Sequence, residues 1–411
     1  MTVNVICGRF VRALFSFFLV APFIGTTVRA ESISNFNVFG GHSVVLSGIA
    51  SAAQTAVGSN HDIHSSASGT FQSFSGGGSL DNANAGPTIS GDVTFNGDVY
   101  IGALSSVGGN VNAGGDANLG TNVAGNVVAA GNATVSANIA GNIEAGGNVS
   151  VNGLSTVTGN VLSNGDVTVN STVDGNVNYG VGHSLTVAFG AHVNGSTTSA
   201  PASVTPAVFS TVPLPAAHSF TTGSTNVTMP TFATQTLAPG SYNNLTMAGS
   251  NTLNLSAGNY YFTNITMNGS FLTLNLNTTG GPINIFVTDS TALHDVTTNI
   301  NGVGYQNVGP TAIGQVYFET HGSLSVDFSN LVGTFYAPFG DINIKSLSSF
   351  TGNVYAGHDV VADFPTFYSG PVSPTLGVPE PASLAIALAC VSLLVPGSWK
   401  HLHRGRKSPT R

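Results

Sequence analysis

One short phrase, glycine followed by asparagine or aspartate and then valine or isoleucine, recurs through residues 91–194 and constrains this chain more than any other feature. Its first glycine returns at intervals of 18, 16, 16, 18 and 16 residues, at Gly91, Gly109, Gly125, Gly141, Gly159 and Gly175. In the first five units a second glycine follows six residues after the first. A period this regular indicates a structural repeat rather than a catalytic motif.

Apolar residues hold fixed places in the repeat and alternate with polar residues. One such column contains Val93, Val111, Val127, Ile143, Val161 and Val177. Alternation with a period of two is typical of β-strands, and the Gly-Asn and Gly-Asp pairs supply corners between the strands. The sequence therefore predicts an all-β fold, a parallel β-helix or β-solenoid in which each rung buries its apolar column against the next.

The asparagines at the corners allow two interpretations. They are Asn110, Asn126, Asn142, Asn160 and Asn176. Stacked asparagines form ladders in which the side chains hydrogen-bond to one another along the axis. Alternatively they only form turns, because asparagine tolerates a left-handed backbone. The sequence favours neither interpretation.

Charge is unevenly distributed along the chain. From Glu31 to Pro379 there are sixteen acidic residues against one basic residue, Lys345, which gives this body a net charge of −15. So few cations do not neutralise phosphates, and nucleic acid is therefore excluded as a partner. The two cysteines, Cys7 and Cys390, lie in terminal apolar segments, so we expect no disulfide in the exported body.

Residues 1–30 are typical of a signal peptide. Basic residues precede an apolar run, and the small residue Ala30 suits cleavage before Glu31. A retained membrane anchor is the weaker alternative because the run is short and contains Pro22. Residues 31–90 have no fixed period. We expect them to form an irregular N-terminal cap and the first rungs, since an open solenoid end exposes strand edges.

The remaining body divides by composition. Residues 91–196 are the regular solenoid, and residues 197–236 are rich in Pro, Ser and Thr, which predicts a linker or a long extended strap. In residues 237–370 the phrase beginning at Leu237 is echoed from Leu255, and Gly352–Val360 repeats the phrase of the first half. These echoes predict a second set of rungs. One continuous solenoid and two separate ones both fit this pattern.

Residues 371–411 have a three-part ending. Val378, Pro379, Glu380 and Pro381 precede an apolar stretch over 382–395 and a basic tail. The stretch predicts a short membrane helix, and the tail predicts a cytoplasmic C-terminus. This ending resembles the PEP-CTERM sorting signal. The resemblance implies an exosortase-type processing enzyme as a partner, and export to the cell envelope or surface of a bacterium that makes exopolysaccharide.

The body resembles the choice-of-anchor A type of secreted bacterial domain. The resemblance is carried by Phe36-Asn37-Val38-Phe39, by the Gly-Asn-Val rungs and by Gly333-Thr-Phe-Tyr-Ala-Pro338. It implies a glycine-rich solenoid architecture and an exported location, and it implies no catalysis.

Some residues suggest chemistry and have to be weighed against structural roles. Parallel β-helices often house polysaccharide lyases, which need basic residues, and hydrolases, which need two carboxylates at a defined separation. The candidate carboxylates are Asp289, Asp295, Asp327 and Asp341, and Lys345 is the single candidate base. No motif groups them. The protein is therefore predicted not to be an enzyme.

Metal binding is the second chemical possibility. His61-Asp62-Ile63-His64 contains zinc ligand types, but the same corner phrase returns at Gly357-His358-Asp359, which favours a surface turn. Corner aspartates instead allow weak calcium binding, since hard cations prefer oxygen ligands. They are Asp92, Asp98, Asp116, Asp166 and Asp174. Because Asp and Asn interchange between rungs, a turn role is favoured, and no cofactor is predicted.

A column of outward residues offers a binding surface. It contains Tyr100, Asn118, Thr134, Ser150 and Thr168, and regular hydroxyl arrays suit sugar chains or ice. Outward strand positions also favour threonine for conformational reasons. The leading hypothesis is a non-enzymatic, exported structural or adhesive protein of the cell envelope or extracellular matrix. The alternatives are an exopolysaccharide-binding module and, less favoured, a polysaccharide-degrading enzyme.

Overall fold

A computed structural model describes residues 32–49, 55–82, 86–363 and 365–368. Over these ranges the chain forms a parallel β-solenoid of about 17 turns, which confirms the predicted fold class. Within the described residues, helix is confined to short pieces: 3₁₀ turns at Ile33–Asn35 and Tyr305–Asn307, and an α-helix at Pro310–Ile313.

The solenoid has three sides, and the strands of each side stack in register. The first side of the first half consists of Val38–Gly40, Ala56–Ser59, Ser73–Gly76, Val93–Phe95, Val111–Ala113, Val127–Ala129, Ile143–Ala145, Val161–Ser163, Val177–Tyr179 and Thr197–Ser199. The second side consists of Ser43–Ile49, Asp62–Phe71, Leu80–Asn82, Val99–Ile101, Ala117–Leu119, Ala133–Val135, Val149–Val151, Val167–Val169 and Leu185–Val187. The third consists of Pro87–Ile89, Ser106–Val107, Asn122–Val123, Thr156–Val157, Thr172–Val173 and His192–Val193.

The second half of the chain continues all three sides. Its second-side strands are Val227–Met229, Asn244–Met247, Asn264–Met267, Thr291–His294, Leu324–Asp327, Ile342–Lys345 and Val360–Asp363. The strands that follow them on the third side are Thr234–Leu237, Thr252–Ser256, Leu272–Asn277, Val296–Ile300 and Thr366–Tyr368, with Val303–Gly304 folded back antiparallel. First-side strands are Gly240–Ser241, Gly258–Phe262, Ile283–Val287 and Val316–Thr320. Two long strands, Asn330–Ala337 and Ser349–Ala356, run from the third side onto the first side. They bend at Gly333 and Gly352, whose φ angles are positive.

Alternation of apolar and polar residues places the core inside the coil. Equivalent residues stack directly, as in the parallel pairs Val111 with Val127 and Val127 with Ile143. All six members of the predicted column at Val93, Val111, Val127, Ile143, Val161 and Val177 are buried. Burial of such a column stabilises the fold by about 25 cal/mol for each Å² of apolar surface removed from water.

The two halves form one stack, and their order in space differs from their order in sequence. The first half starts near the middle of the stack, where Val38 pairs with both Val57 and Val354. It coils toward one end, and the second half begins at the other end and coils back. On the second side Val44 pairs with Val360, so the last strands lie directly against the first. We call this junction the seam.

An extended strap over residues 200–226 connects the two ends along the outside of the first side. A chain in this conformation rises about 3.3 Å per residue, so the strap covers up to roughly 90 Å. The side-chain amides of Asn60 and Asn96 each accept from and donate to its backbone, at Val212 and Phe209, over 2.8–3.0 Å. The strap thereby follows the solenoid as a bound segment.

A second apolar cluster lies between the strap and the outer surface of the first side. Its buried members are Phe36, Phe39, Ala56, Phe209, Val212, Phe286, Tyr317, Tyr336 and Tyr355. Strands under the strap are consequently buried on both faces, as Val316–Thr320 and Ser349–Ala356 show along their whole length. This explains why these strands lack the alternation of the regular repeat.

One expectation needs correction, and three others fall outside the described residues. The segment 31–90, expected as an N-terminal cap and first rungs, forms rungs but does not cap an end, because its first strand pairs with the next coil at Val57 on one side and with the returning chain at Val354 on the other. The signal peptide, the motif at Val378–Pro381 and the predicted C-terminal membrane helix lie outside the described residues. Among the residues that are described, no helix has the length and apolar character needed to cross a membrane.

Candidate functional site

The corner asparagines and aspartates form ladders in which a side-chain oxygen of one coil accepts from a backbone N–H of the next coil. In some rungs the same oxygen also accepts from a side-chain amide, as Asp92 does from Asn110 and Asp116 does from Asn132. Oδ1 of Asn110 accepts from the backbone N–H of Asn126 at 2.9 Å, and Asn126 accepts in turn from Asn142 at 2.8 Å. A second ladder links Asp98, Asp116, Asn132, Asn148, Asp166 and Ser184 in the same way. Asp and Asn interchange because both offer the required oxygen. None of the five asparagines of the first ladder has a positive φ, so the left-handed turn interpretation is wrong for them.

The glycine of each Gly-Asn pair makes room for this ladder. A Cβ built on Gly125 would lie 2.5 Å from Oδ1 of Asn110, and one on Gly141 would lie 2.5 Å from Oδ1 of Asn126. The repeated phrase is therefore a joint: asparagine supplies the acceptor, and glycine in the next coil leaves space for it. Among the aspartates considered as calcium ligands, Asp92, Asp98, Asp116 and Asp166 each use one carboxylate oxygen in this bond, whereas Asp174 accepts from the side-chain amide of Asn194.

The candidate metal phrase at residues 61–64 lies at the corner between the first and second sides. Ile63 points into the core, Oδ1 of Asp62 accepts from the backbone of Ser79 at 2.7 Å, and His61 and His64 are exposed. No group of three or more metal-ligand side chains with suitable spacing exists among the described residues.

A charged contact at the seam joins the two chain ends. Oδ1 of Asp359 accepts from the backbone and hydroxyl of Ser43, at 2.9 and 2.8 Å, and lies 2.9 Å from Nδ1 of His42. Burial opposes the shift, but these hydrogen bonds and the His42 ring outweigh it and hold the pKa of Asp359 below its ordinary value. His61, one coil further on, places its ring centroid 5.2 Å from that of His42.

Two of the candidate catalytic carboxylates, Asp327 and Asp341, lie far apart in the structure, and Asp327 has neighbours that the sequence did not predict. Asp341 precedes a second-side strand whose partner strand ends at Asp327, so their Cα atoms are roughly 13 Å apart along the strand direction, which exceeds the separation of a glycosidase pair. Asp327 instead stacks between His294 and Lys345 in successive coils, with Oδ2 3.2 Å from Nδ1 of His294. The sequence did not predict this His-Asp-Lys row, because its members are 18 to 33 residues apart.

The other two carboxylates have separate partners. Oδ2 of Asp295 accepts from the backbone of Phe271 at 2.8 Å, and Oδ2 of Asp289 lies 3.5 Å from the amide of Asn264.

A fully buried carboxylate, Glu319, was missed in the sequence. Its oxygens accept from the Tyr317 hydroxyl at 2.6 Å and from the His218 backbone at 2.8 Å, and contact ring nitrogens of His218 at 2.6 Å and His321 at 2.8 Å. Burial and the nearby carboxylate raise the pKa of Tyr317, so its hydroxyl remains a donor. The sequence feature that could have revealed it is a single acidic residue inside the apolar strand Val316–Thr320. The cluster fastens the strap to the solenoid.

Outward columns of small polar residues cover two sides. The predicted column from Tyr100 to Thr168 is in register on the second side. On the third side of the second half there are two further columns, Thr234, Thr252, Thr273 and Thr297, and Thr236, Asn254, Asn275 and Asn299. Here the amides do bond side chain to side chain, Asn275 to Asn254 at 2.9 Å and Asn299 to Asn275 at 3.1 Å. The sequence feature that could have revealed these two columns is the recurring Thr-x-Asn phrase.

Exposed apolar side chains occur along the corner between the second and third sides. In the second half this corner has a left-handed backbone in six successive coils, at Phe232, Ser250, Phe271, Asp295, Phe328 and Leu347, and Ser346 directly before the last of these six is left-handed as well. Phe232, Phe271 and Leu347 are 81%, 77% and 69% exposed, and Phe328 is 49% exposed. We call these six residues the corner ridge. Leu104, Leu154 and Phe189 occupy the same corner in the first half and are also exposed.

Comparison with known proteins gives little support for any assignment. No family model and no curated protein matches the chain. One solved structure that matches is described as an ice binding protein from an Antarctic bacterium Flavobacteriaceae. The two share 10% identity, the match covers 83% of this chain and 99% of the other, and the TM-score is 0.22. A likeness at that score carries no argument about function.

Proposed function

We propose that this protein is a non-enzymatic, exported structural or adhesive component of the cell envelope or extracellular matrix. The observation that carries the proposal is the use of its polar groups: corner aspartates and asparagines that suggested chemistry hold one coil to the next. Such bonds favour a rigid rod with regular outer surfaces. Rigidity and regular surfaces suit a protein that bears load or contacts a polymer.

Export is proposed from the two ends of the sequence. The signal peptide ending at Ala30 would direct the chain out of the cytoplasm, and the PEP-CTERM-like motif at Val378, Pro379, Glu380 and Pro381 would be recognised by an exosortase-type enzyme. The apolar stretch behind the motif would hold the protein in the membrane until processing. The acidic, cation-poor body would then lie outside the cell.

Cell fractionation tests this location. The full chain should be found in the envelope or matrix fraction, and a chain ending at residue 370 should be released or mislocalised. A matched substitution, Glu380→Gln, leaves the apolar stretch and basic tail intact and isolates the contribution of the motif. Equal distribution of all three forms would contradict the sorting proposal.

A polysaccharide-binding module is the second candidate function. It is favoured by the corner ridge, which exposes aromatic side chains beside columns of hydroxyl and amide groups. Co-sedimentation of the purified protein with the host's own matrix discriminates it from a purely structural role.

An enzymatic role rests on the row of His294, Asp327 and Lys345. If the purified protein depolymerised members of a panel of acidic and neutral polysaccharides, the non-enzymatic proposal would be wrong. Turnover that survives Asp327→Asn would place any such activity elsewhere.

A further inference from the structure

The aromatic members of the corner ridge lie in alternate coils. The second-side strands stack in the order Val227–Met229, Asn244–Met247, Asn264–Met267, Thr291–His294 and Leu324–Asp327. The corners after them hold Phe232, Ser250, Phe271, Asp295 and Phe328 in turn. Aromatic and polar residues therefore alternate along the axis. Since adjacent strands are about 4.8 Å apart, two coils place successive phenylalanine positions roughly 9.6 Å apart along the axis.

Neither folding nor turn formation explains phenylalanine at these corners. Phe232, Phe271 and Phe328 have φ angles of 65°, 58° and 47°, a region that is sterically unfavourable for bulky side chains. Glycine or asparagine would turn the chain with less strain. The rings of Phe232 and Phe271 gain little from burial in this chain, whereas Phe328 is half-buried and contacts the His294 ring edge to face. A strained backbone that presents an exposed side chain is a feature found at functional sites. The backbone therefore presents these rings to a ligand outside the chain.

We propose that the corner ridge binds an extended, neutral, β-linked polysaccharide lying parallel to the solenoid axis. In a β-1,4-linked chain alternate sugars present the same face, so the repeat that meets a protein surface is a disaccharide, whose length matches two coils. Phe232, Phe271 and Phe328 each stack against the apolar face of every second sugar. This names the ligand class for the adhesive role and rests on the proposed function.

Polar groups beside the ridge suit the hydroxyls of such a chain. On the third side Thr252, Thr273 and Thr297 point outward in successive coils, directly after the corners at Ser250, Phe271 and Asp295. On the second side Thr228, Thr246 and Thr266 form the corresponding outward column. Hydroxyl groups donate and accept hydrogen bonds and therefore match sugar hydroxyls.

Charge selects a neutral polymer over an anionic one. The body carries sixteen acidic residues against one basic residue, and the ridge itself includes Asp295. An anionic polysaccharide would be repelled at low ionic strength. A lipid surface is disfavoured for a related reason, because the rings alternate with polar side chains and form no continuous apolar face.

Affinity electrophoresis of the purified full chain in gels containing soluble hydroxyethyl cellulose tests the proposal, with microcrystalline cellulose pull-down as a second readout. The wild type should be retarded. Phe271→Ala should lower affinity about three- to tenfold, and Phe271→Tyr should restore it. Phe189→Ala removes an even more exposed aromatic residue, at the same corner of the first half but outside the ridge, and should have no effect on glucan binding. Because all these side chains are exposed, the variants should fold normally.

A register variant separates periodic recognition from simple apolar adhesion. The double change S250F/F271S keeps the number of exposed rings but moves the central one by one coil, about 4.8 Å. It should lose glucan binding to the same degree as Phe271→Ala. Equal binding by the register variant and the wild type would overturn the proposal.

Other outcomes also decide the matter. Absence of binding to either cellulose form, or equal binding to alginate or to phosphatidylcholine vesicles, would overturn the proposed ligand class. Cell fractionation remains an independent measure of the proposed location, so a protein that reaches the envelope without binding glucan refutes the ridge proposal alone.

Discussion

The Gly-Asn pair acts across two coils rather than within one. Asparagine in one coil accepts a backbone hydrogen bond from the next, and the glycine beside that donor provides the space. The requirement on glycine at these corners is steric, since Gly125 and Gly141 have no positive φ. This two-coil unit explains why both residue types recur with the period of the solenoid.

Gly125→Ala tests the joint. Its Cβ would meet Oδ1 of Asn110 and the carbonyl of Gly109, both at 2.5 Å, so the corner must move. We expect a loss of about 1–3 kcal/mol in the free energy of unfolding, measured by chemical denaturation. Gly304→Ala is the control, because its nearest neighbour would be 3.8 Å away and its backbone is extended, and it should cost less than about 0.5 kcal/mol. Equal losses for both variants would contradict the steric explanation.

Asp359 gives the seam a dependence on pH. Its pKa is lower in the folded chain than the ordinary value of 3.8, so the charged form stabilises the fold at all pH values above about 4 and this contribution is lost as pH falls through the lowered pKa. Asp359→Asn keeps an acceptor oxygen but removes the charge. Because the contact is partly exposed, we expect a loss of about 0.2–1 kcal/mol at pH 7.

Melting temperatures measured over a range of pH distinguish the effect of the charge from other effects of this substitution. The difference in melting temperature between wild type and Asp359→Asn should shrink as pH falls from 3.8 through the lowered pKa of Asp359, because the wild-type carboxyl then becomes protonated in the folded chain. Asp116→Asn is the matched control, since asparagine already stands one coil later at Asn132 in the same ladder. A difference that stays constant from pH 7 to acid would show that the charge at Asp359 does not stabilise the seam.

At the scale of elements, the strap holds the two halves together through side chains. The solenoid side chains of Asn60, Asn96 and Glu319 hydrogen-bond to the strap backbone, and the apolar residues of the strap complete the second cluster. Extended chain has few internal hydrogen bonds, so its backbone groups have to be satisfied by the solenoid. The paired contacts of Asn60 and Asn96 meet this need in the way that an adjacent strand would.

Glu319→Gln is expected to loosen the strap without unwinding the coil. The amide keeps the shape but replaces a charged acceptor that contacts two histidines and Tyr317. Hydrogen bonds to charged groups contribute about 1.5–3 kcal/mol, and the loss should be of that order or less because the histidines are partly exposed. Hydrogen exchange should accelerate at strap amides such as His218.

The same exchange measurement contains its own control. Amides of the inner coils, such as Val127, should keep their protection in the Glu319→Gln protein. Uniform loss of protection along the chain would mean that Glu319 stabilises the whole solenoid rather than the strap.

At the scale of the molecule, the sequence predicted the coil but not the order of its turns. Periodicity identified the strands because each rung obeys a local rule of alternation. The pairing of Val38 with Val354 joins residues 316 apart, and no local pattern specifies it. Similarly, the corner ridge was missed because its members are 18 to 33 residues apart in sequence and become neighbours only after coiling.

The two ends of the stack differ in how well they cover their core. At the end formed by the second half, Val227–Met229 and Thr234–Leu237 pair on one side only within the described ranges, but Val227, Met229 and Leu237 are buried. At the other end Val181, Val187 and Phe189 are 68%, 43% and 109% exposed, and within the described ranges Leu185–Val187, His192–Val193 and Thr197–Ser199 each pair on one side only. Unpaired strand edges beside exposed apolar residues are sites where chains associate.

We therefore expect concentration-dependent self-association through this end. Val187→Lys places a charge on the exposed edge, where it opposes pairing with another chain, and should weaken association about tenfold or more in light scattering. Val361→Lys, at a comparably exposed outward position in the second half, should leave association unchanged. Because Val187 is already partly exposed, the substitution should change the melting temperature little. A wild-type protein that stays monomeric at all concentrations would contradict self-association through this end.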